Sequence, residues 1–131
     1  MIIEINTLGR LPIYQQLRDQ IVLGIASKKL TPGEALPSVR RLAADLVINF
    51  HTVNKGYTML CDEGYIVMDR RKGAVVAKDM DSNENFSGQL SQKLLINAAE
   101  AVCHKIYEKE FTALCCAVFK KALGAKKKEG V

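Results

Sequence analysis

The chain contains no apolar run approaching the ~18–20 residues that cross a bilayer. Its opening residues, MIIEINTLGRL, have neither the basic start nor the long apolar core of a secretory signal. The expectation is a cytoplasmic protein without a membrane partner. There are four cysteines, no C-x-x-C, and no histidine at a zinc-like spacing from a cysteine pair. In a reducing compartment Cys61, Cys103, Cys115 and Cys116 should stay thiols. They fall on apolar helical positions, so the simple reading is small buried hydrophobes. A thiol sensor at Cys115–Cys116 is the sharper alternative. No glycine loop could cradle a phosphate and no nucleophile stands beside a base, so nothing points to an enzyme or a cofactor.

What is present suffices to fold. The 131 residues are 48% hydrophobic and 25% charged, enough for one domain plus an appendage. The net charge is +5, which is compatible with an anionic partner and does not identify one. Residues 1–80 carry 11 basic and 8 acidic side chains and residues 81–131 carry 8 and 6, so the excess is spread along the chain. Any argument for a nucleic-acid partner must rest on where the charges lie.

Pro12 can open a helix, and Ile13, Leu17, Ile21 and Ile25 give it one apolar stripe over residues 12–28. Thr31-Pro32-Gly33 forms a turn, and Ala35-Leu36 is long enough only for a small strand. The segment from Leu36 to Asn54, LPSVRRLAADLVINFHTVN, holds two short amphipathic patterns joined by a tight turn. Val39, Leu42, Ala43 and Leu46 form the first pattern, over residues 38–46, with Ser38 able to cap it. The second runs over residues 50–63 through Val53, Tyr57 and Leu60. Asn49 caps its start and Gly64 stops it in the left-handed conformation. Polar groups crowd the first turn of this second helix: Asn49, His51, Thr52, Asn54 and Lys55. That is the layout of a helix-turn-helix, in which the start of the second helix meets base edges in the major groove. Next come Tyr65 to Met68, a basic tip Asp69-Arg70-Arg71-Lys72-Gly73, and Ala74 to Ala77, which read as a β-hairpin. Helix, helix-turn-helix and hairpin occur in winged-helix order.

The residues that follow divide into three parts. Residues 79–88 are polar and read as a linker. From Gln89 to Leu123 there is neither glycine nor proline. Leu90, Leu94, Leu95, Val102, Ile106, Leu114, Val118, Phe119 and Leu123 recur there at helical spacing. One helix of that length would be unusual, so two are expected, joined near Tyr107–Glu110 where charge interrupts the apolar pattern. Two helices cannot bury so much apolar surface against each other, which points to dimerisation through residues 89–124. Residues 125–131 are a basic tail. The expected fold is therefore mainly α with a small β-hairpin. A winged helix-turn-helix domain over residues 1–78 precedes a two-helix dimerisation segment.

Several of these motifs together resemble one family. Pro12-Ile13-Tyr14-Gln15-Gln16-Leu17, the run Pro32 to Ala43, Asn49 with Thr52-Val53, Tyr57 with Leu60, and Glu63-Gly64-Tyr65-Ile66 are similar to the DNA-binding domain of GntR-type bacterial transcription regulators. The likeness covers residues 10–77. The Pro-Ile-Tyr opening and the short helical end resemble the YtrA-like subgroup. The resemblance implies a homodimer joined through its C-terminal helices, a double-stranded DNA partner, and genes of transport systems as targets. That subgroup lacks the larger effector-binding domains of other members, and the existence and identity of a small-molecule effector stay open. Two departures stand out. The family usually has glycine in the helix-helix turn where this chain has Val47, so the turn here is expected to avoid positive φ. The wing usually carries two glycines, and here only Gly73 remains, with Arg71 in the other place.

By this resemblance Arg40 is a DNA contact and Asn54 a base reader, suited to adenine. Arg41 faces solvent or a phosphate. Asn49 both caps its helix and has donors to spare, and His51 and Thr52 start the reading face. Phe50 either packs inward or touches a thymine methyl group. Lys55 and Lys72 suit phosphates, and Arg70, Arg71 and Gly73 complete a basic hairpin tip. Glu100, His104 and Glu108 would share a face of one continuous helix, a spacing also found on any solvated helix. The leading functional reading is a homodimeric regulator, a repressor, on a short inverted repeat. Its alternatives are a thiol- or metal-responsive module around Cys103, His104, Cys115 and Cys116, and a non-specific nucleic-acid-binding protein.

Overall fold

Each apolar stripe forms the element its spacing predicts. A computed structural model describes residues 3–80 and 84–124. Among the described residues five helices and one hairpin follow in order: α1 (Ile13–Ala26), α2 (Val39–Leu46), α3 (Phe50–Asp62), β1 (Ile66–Asp69), β2 (Gly73–Val76), α4 (Glu84–Cys103) and α5 (Glu108–Ala122). They belong to two units divided between Met80 and Asp81.

In the first unit α1 and α2 both pack on α3, and α3 meets β1. Leu17 and Ile21 of α1, Val53 and Leu60 of α3, Ile66 and Val76 are almost wholly buried and form the centre of the core. Each such side chain contributes roughly 1.5–3 kcal/mol when taken out of water. Gly56 lies on the inner face of α3. A Cβ there would stand 3.1 Å from Leu17 Cδ2 and 3.2 Å from the Tyr14 carbonyl, so glycine permits the close crossing of α1 and α3. Arg18 reaches from α1 with Nε and Nη2 donating to the Glu63 carboxylate (2.8 and 3.1 Å), and lies over the Tyr65 ring. These bonds tie α1 to the junction of α3 and β1.

The hairpin is antiparallel, with Ile66 opposite Val76 and Asp69 opposite Gly73. Ala35 bridges to Val75, flanked by the Leu36 N–H donating to the Ala74 carbonyl (2.8 Å) and the Val76 N–H to the Glu34 carbonyl (2.9 Å). The short strand expected at Ala35-Leu36 is thus a single bridge on the hairpin edge. The Tyr57 hydroxyl donates to the Pro37 carbonyl (2.7 Å), pinning the loop before α2 to α3.

The caps follow the sequence at Ser38, whose hydroxyl accepts from the Arg41 N–H (3.1 Å), and at Asn49, whose carbonyl accepts from the His51 N–H (2.7 Å). Gly64 has φ 87° after α3. The expectation for Val47 is overturned: it has φ 53° and ψ 50°, left-handed. The geometry is a helix-terminating turn in which the Ile48 N–H bonds the Ala43 carbonyl (3.0 Å). The turn demands that conformation whatever residue occupies it.

The second unit comprises two helices, as expected, with two corrections. The polar segment 79–88 is not linker throughout, because α4 begins at Glu84. Phe86 and Leu90 are spaced to share a face of that helix. The junction of the helices is not at Tyr107–Glu110 but at residues 104–107, with Lys105 at φ 65°. Glu108 and Glu110 lie in the first turn of α5, where acidic side chains favour a helix start. The tail 125–131 lies outside the described residues. No described residue of this unit is buried, and Cys103 and Cys116 are exposed while Cys61 and Cys115 are half-buried. The expectation of four buried cysteines is not met in the single chain: Cys61, on α3 of the first unit, packs only partly buried against that unit's core, and α4 and α5 leave most of their faces uncovered. Among the described residues no helix is long and apolar enough to cross a membrane.

Candidate nucleic-acid interface

The candidate interface comprises the start of α2, the turn at Val47, the first turns of α3 and the hairpin tip. Val53, Gly56, Tyr57 and Leu60 turn into the core and fix the rotation of α3 about its axis. That rotation leaves Phe50, His51, Asn54 and Lys55 outward, with Thr52 half-buried between the two faces.

Arg40 and Arg41 are both exposed at the start of α2, and they differ in partner. The Arg41 guanidinium stands 3.8 Å from Asp45, an exposed pair that contributes little to stability. The Arg40 guanidinium carbon lies 5.6 Å from the centroid of the Phe50 ring. The His51 imidazole meets that ring edge-on at 5.6 Å and 83°. Arg40, Phe50 and His51 therefore form one cluster at the entrance of α3. Phe50 neither packs fully inward nor stands free, being 41% exposed.

Asn49 uses its carbonyl as a cap, leaving its amide N–H groups as donors. Asn54 is exposed one turn further along α3. Lys55, read from sequence as a phosphate partner, has its ammonium 4.0 Å from the centroid of the Tyr14 ring. Local sequence pattern does not reveal Tyr14 as a neighbour of this site, because it lies on α1, far from Lys55 in sequence.

At the hairpin tip Asp69 Oδ1 accepts the backbone N–H groups of Arg71 (2.8 Å) and Lys72 (3.0 Å). The Lys72 N–H first, then that of Arg71, hold the Asp69 carboxyl below its ordinary range. Gly73 follows with φ 75°. The acidic residue thus organises the tip, and Arg70, Arg71 and Lys72 all project into solvent. The Asp69 bonds shape the turn in a hairpin that lacks a second glycine.

No described group of three or more His, Cys, Asp or Glu residues could hold a metal ion. His104 lies beyond the end of α4, so Glu100, His104 and Glu108 do not follow one continuous helix.

A three-helix unit with a helix-turn-helix, an antiparallel hairpin with a basic tip, and exposed polar side chains on the first turns of α3 define a winged-helix DNA-binding domain. Residues 12–76 match the sequence profile of the gntR family of bacterial regulatory proteins. The chain is 31% identical over 84 residues to YhcF, an uncharacterized HTH-type transcriptional regulator of Bacillus subtilis, across 64% of this chain and 69% of that one. It is 35% identical over 77 residues to the Bacillus subtilis HTH-type transcriptional repressor YtrA, spanning 59% of each protein. Of solved structures, YtrA from Sulfolobus acidocaldarius, a GntR-family transcription factor, is 40% identical with a TM-score of 0.61 over 73% of this chain and 99% of that one. A transcriptional antiterminator from Listeria monocytogenes superposes with a TM-score of 0.87 at 26% identity, over 94% of this chain and 93% of that one. The chain belongs to the gntR family of bacterial regulatory proteins, and resembles its YtrA-like members, with a winged-helix DNA-binding domain followed by C-terminal helices. These relatives are transcriptional regulators rather than enzymes.

Proposed function

We propose that the protein is a homodimeric, sequence-specific transcription regulator that binds a short inverted repeat, one half-site per protomer, and acts as a repressor. The observation that carries the reading is the first turns of α3. Rigid core contacts orient the helix, and the outward residues His51 and Asn54 have side chains that hydrogen-bond bases. Arg40 and the tip residues Arg70, Arg71 and Lys72 supply charge for phosphates or bases on either side of it. Arg41, Asn49, Thr52, Lys55 and Gly73 complete the proposed contact surface.

Dimerisation is supported by the second unit, whose helices cannot cover their own apolar faces. Leu90, Leu94, Leu95, Val102, Leu114, Val118, Phe119 and Leu123 are between 44% and 67% exposed in the single chain, and Ile106 is half-buried at the junction. An apolar surface of that kind on a two-helix unit is closed by a second copy in a helical bundle. Repression is the simpler sign, because occupying a promoter obstructs polymerase without further contacts. The name of the Bacillus subtilis YtrA repressor agrees with that sign.

Selection of bound duplexes from a random pool by the full-length protein tests the reading. It should enrich an inverted repeat. Equal retention of unrelated sequences would instead mean a non-specific nucleic-acid-binding protein. Binding that appears only after zinc addition or thiol oxidation would favour the responsive module.

A further inference from the structure

We propose that Arg40 and Phe50 act as a single reading unit for adjacent thymine and guanine bases. Phe50 holds the Arg40 guanidinium and also offers its own ring to the thymine methyl group. The proposal rests on the reading of the chain as a sequence-specific DNA-binding protein and names two of the bases it reads.

The two residues start consecutive helices and meet across the turn at Val47. A guanidinium within about 6 Å of an aromatic centroid is held by the ring quadrupole, and here the distance is 5.6 Å. The His51 imidazole meets the same ring edge-on. The ring is thus braced from its neighbour while 41% of the residue stays open to solvent. Val47, on the turn between them, is 88% exposed, so the core does not claim this apolar surface.

The chemistry of the major groove then restricts the target. The arginine fork matches the O6 and N7 acceptors of guanine, and the apolar group that an aromatic ring can meet there is the thymine 5-methyl. A guanidinium resting on the ring reaches the base beside the one the ring touches. The pair therefore selects neighbouring thymine and guanine. Stacking also removes rotamer freedom that a free arginine would lose on binding, so Phe50 is a positioning residue for Arg40 as well as a contact residue.

The test uses the full-length protein and the site recovered by selection. Thymines are replaced singly by deoxyuridine, which lacks only the methyl group, and guanines singly by 7-deazaguanine, which lacks N7. For the unaltered protein, one deoxyuridine position should weaken binding about fourfold, the worth of one buried methyl group. 7-Deazaguanine beside it should weaken binding about tenfold. Phe50→Ala should bind the parent site more weakly, ignore the deoxyuridine, and respond much less to 7-deazaguanine. Phe50→Leu should keep the response to deoxyuridine and lose most of the response to 7-deazaguanine. Thermal melting of both variants at the wild-type temperature shows that the fold is intact. Retention of both responses by Phe50→Ala, or no sensitive thymine in a site the wild type binds well, overturns the proposal alone. Failure to recover any selected site overturns the reading on which it rests.

Discussion

Tyr57 shows how one side chain of α3 joins the core to the loop before α2. Its ring is buried, and its hydroxyl donates to the Pro37 carbonyl just before α2. Tyr57→Phe keeps the ring and leaves that carbonyl without this donor, so unfolding free energy should fall by about 0.5–1.5 kcal/mol in thermal or urea melts. Burial pushes the phenol well above its ordinary range. The folded state therefore holds this proton more tightly than the unfolded chain does. The advantage of the wild type over Tyr57→Phe should be complete below about pH 10, the ordinary tyrosine value, and should shrink as the pH rises beyond it. Base readers and phosphate partners differ in another way. Asn54→Ala should weaken binding to the selected site far more than to a scrambled duplex, whereas Lys72→Ala should weaken both by a similar factor. Equal losses for both variants on both duplexes would remove Asn54 from the reading face.

At the scale of elements, the sequence was most legible where one residue type has one structural meaning. Ser38 and Asn49 cap because their oxygens reach backbone N–H groups, and Gly64 ends α3 because glycine accepts positive φ without strain. Lys28, Val47 and Lys105 also have positive φ beyond the ends of helices, and neither lysine nor valine carries any such signal. The left-handed turn at Val47 and the break before α5 therefore leave no mark in the local sequence pattern. Of the site, the polar first turn of α3 and the basic tip were readable from local pattern. The Arg40–Phe50 contact, the Lys55–Tyr14 contact and the Arg18–Glu63 bond were not, since each depends on how separate helices pack. The turn makes a direct prediction. Val47 is almost fully exposed, so Val47→Gly loses little packing, and relief of left-handed strain should stabilise the protein by about 1 kcal/mol after the entropy of glycine is counted. A lower melting temperature would show that the valine is not strained. Gly56→Ala should act in the opposite sense, because the added methyl meets the Tyr14 backbone as well as the Leu17 side chain. Overpacking should outweigh the better helix propensity of alanine and destabilise by about 1 kcal/mol in the same melts.

At the scale of the whole molecule, the two units present complementary problems. The first has a buried core and an exposed set of polar side chains on the first turns of α3. The second, among its described residues, has no buried side chain and a broad apolar surface. The proposed joining of two copies through α4 and α5 would resolve the second problem and present two copies of α3 to one DNA molecule. A two-fold arrangement sets half-sites about one helical turn, ~34 Å, apart, and linking two weak contacts raises avidity by ~10²–10⁴. The most direct test compares the affinity and stoichiometry of the full-length protein on the selected inverted repeat and on a duplex carrying one half-site, with the mass of each complex determined by analytical ultracentrifugation. Two protomers are expected on the intact repeat, with at least ~100-fold weaker binding to the half-site. One protomer bound to the repeat, with equal affinity for both duplexes, would contradict that expectation.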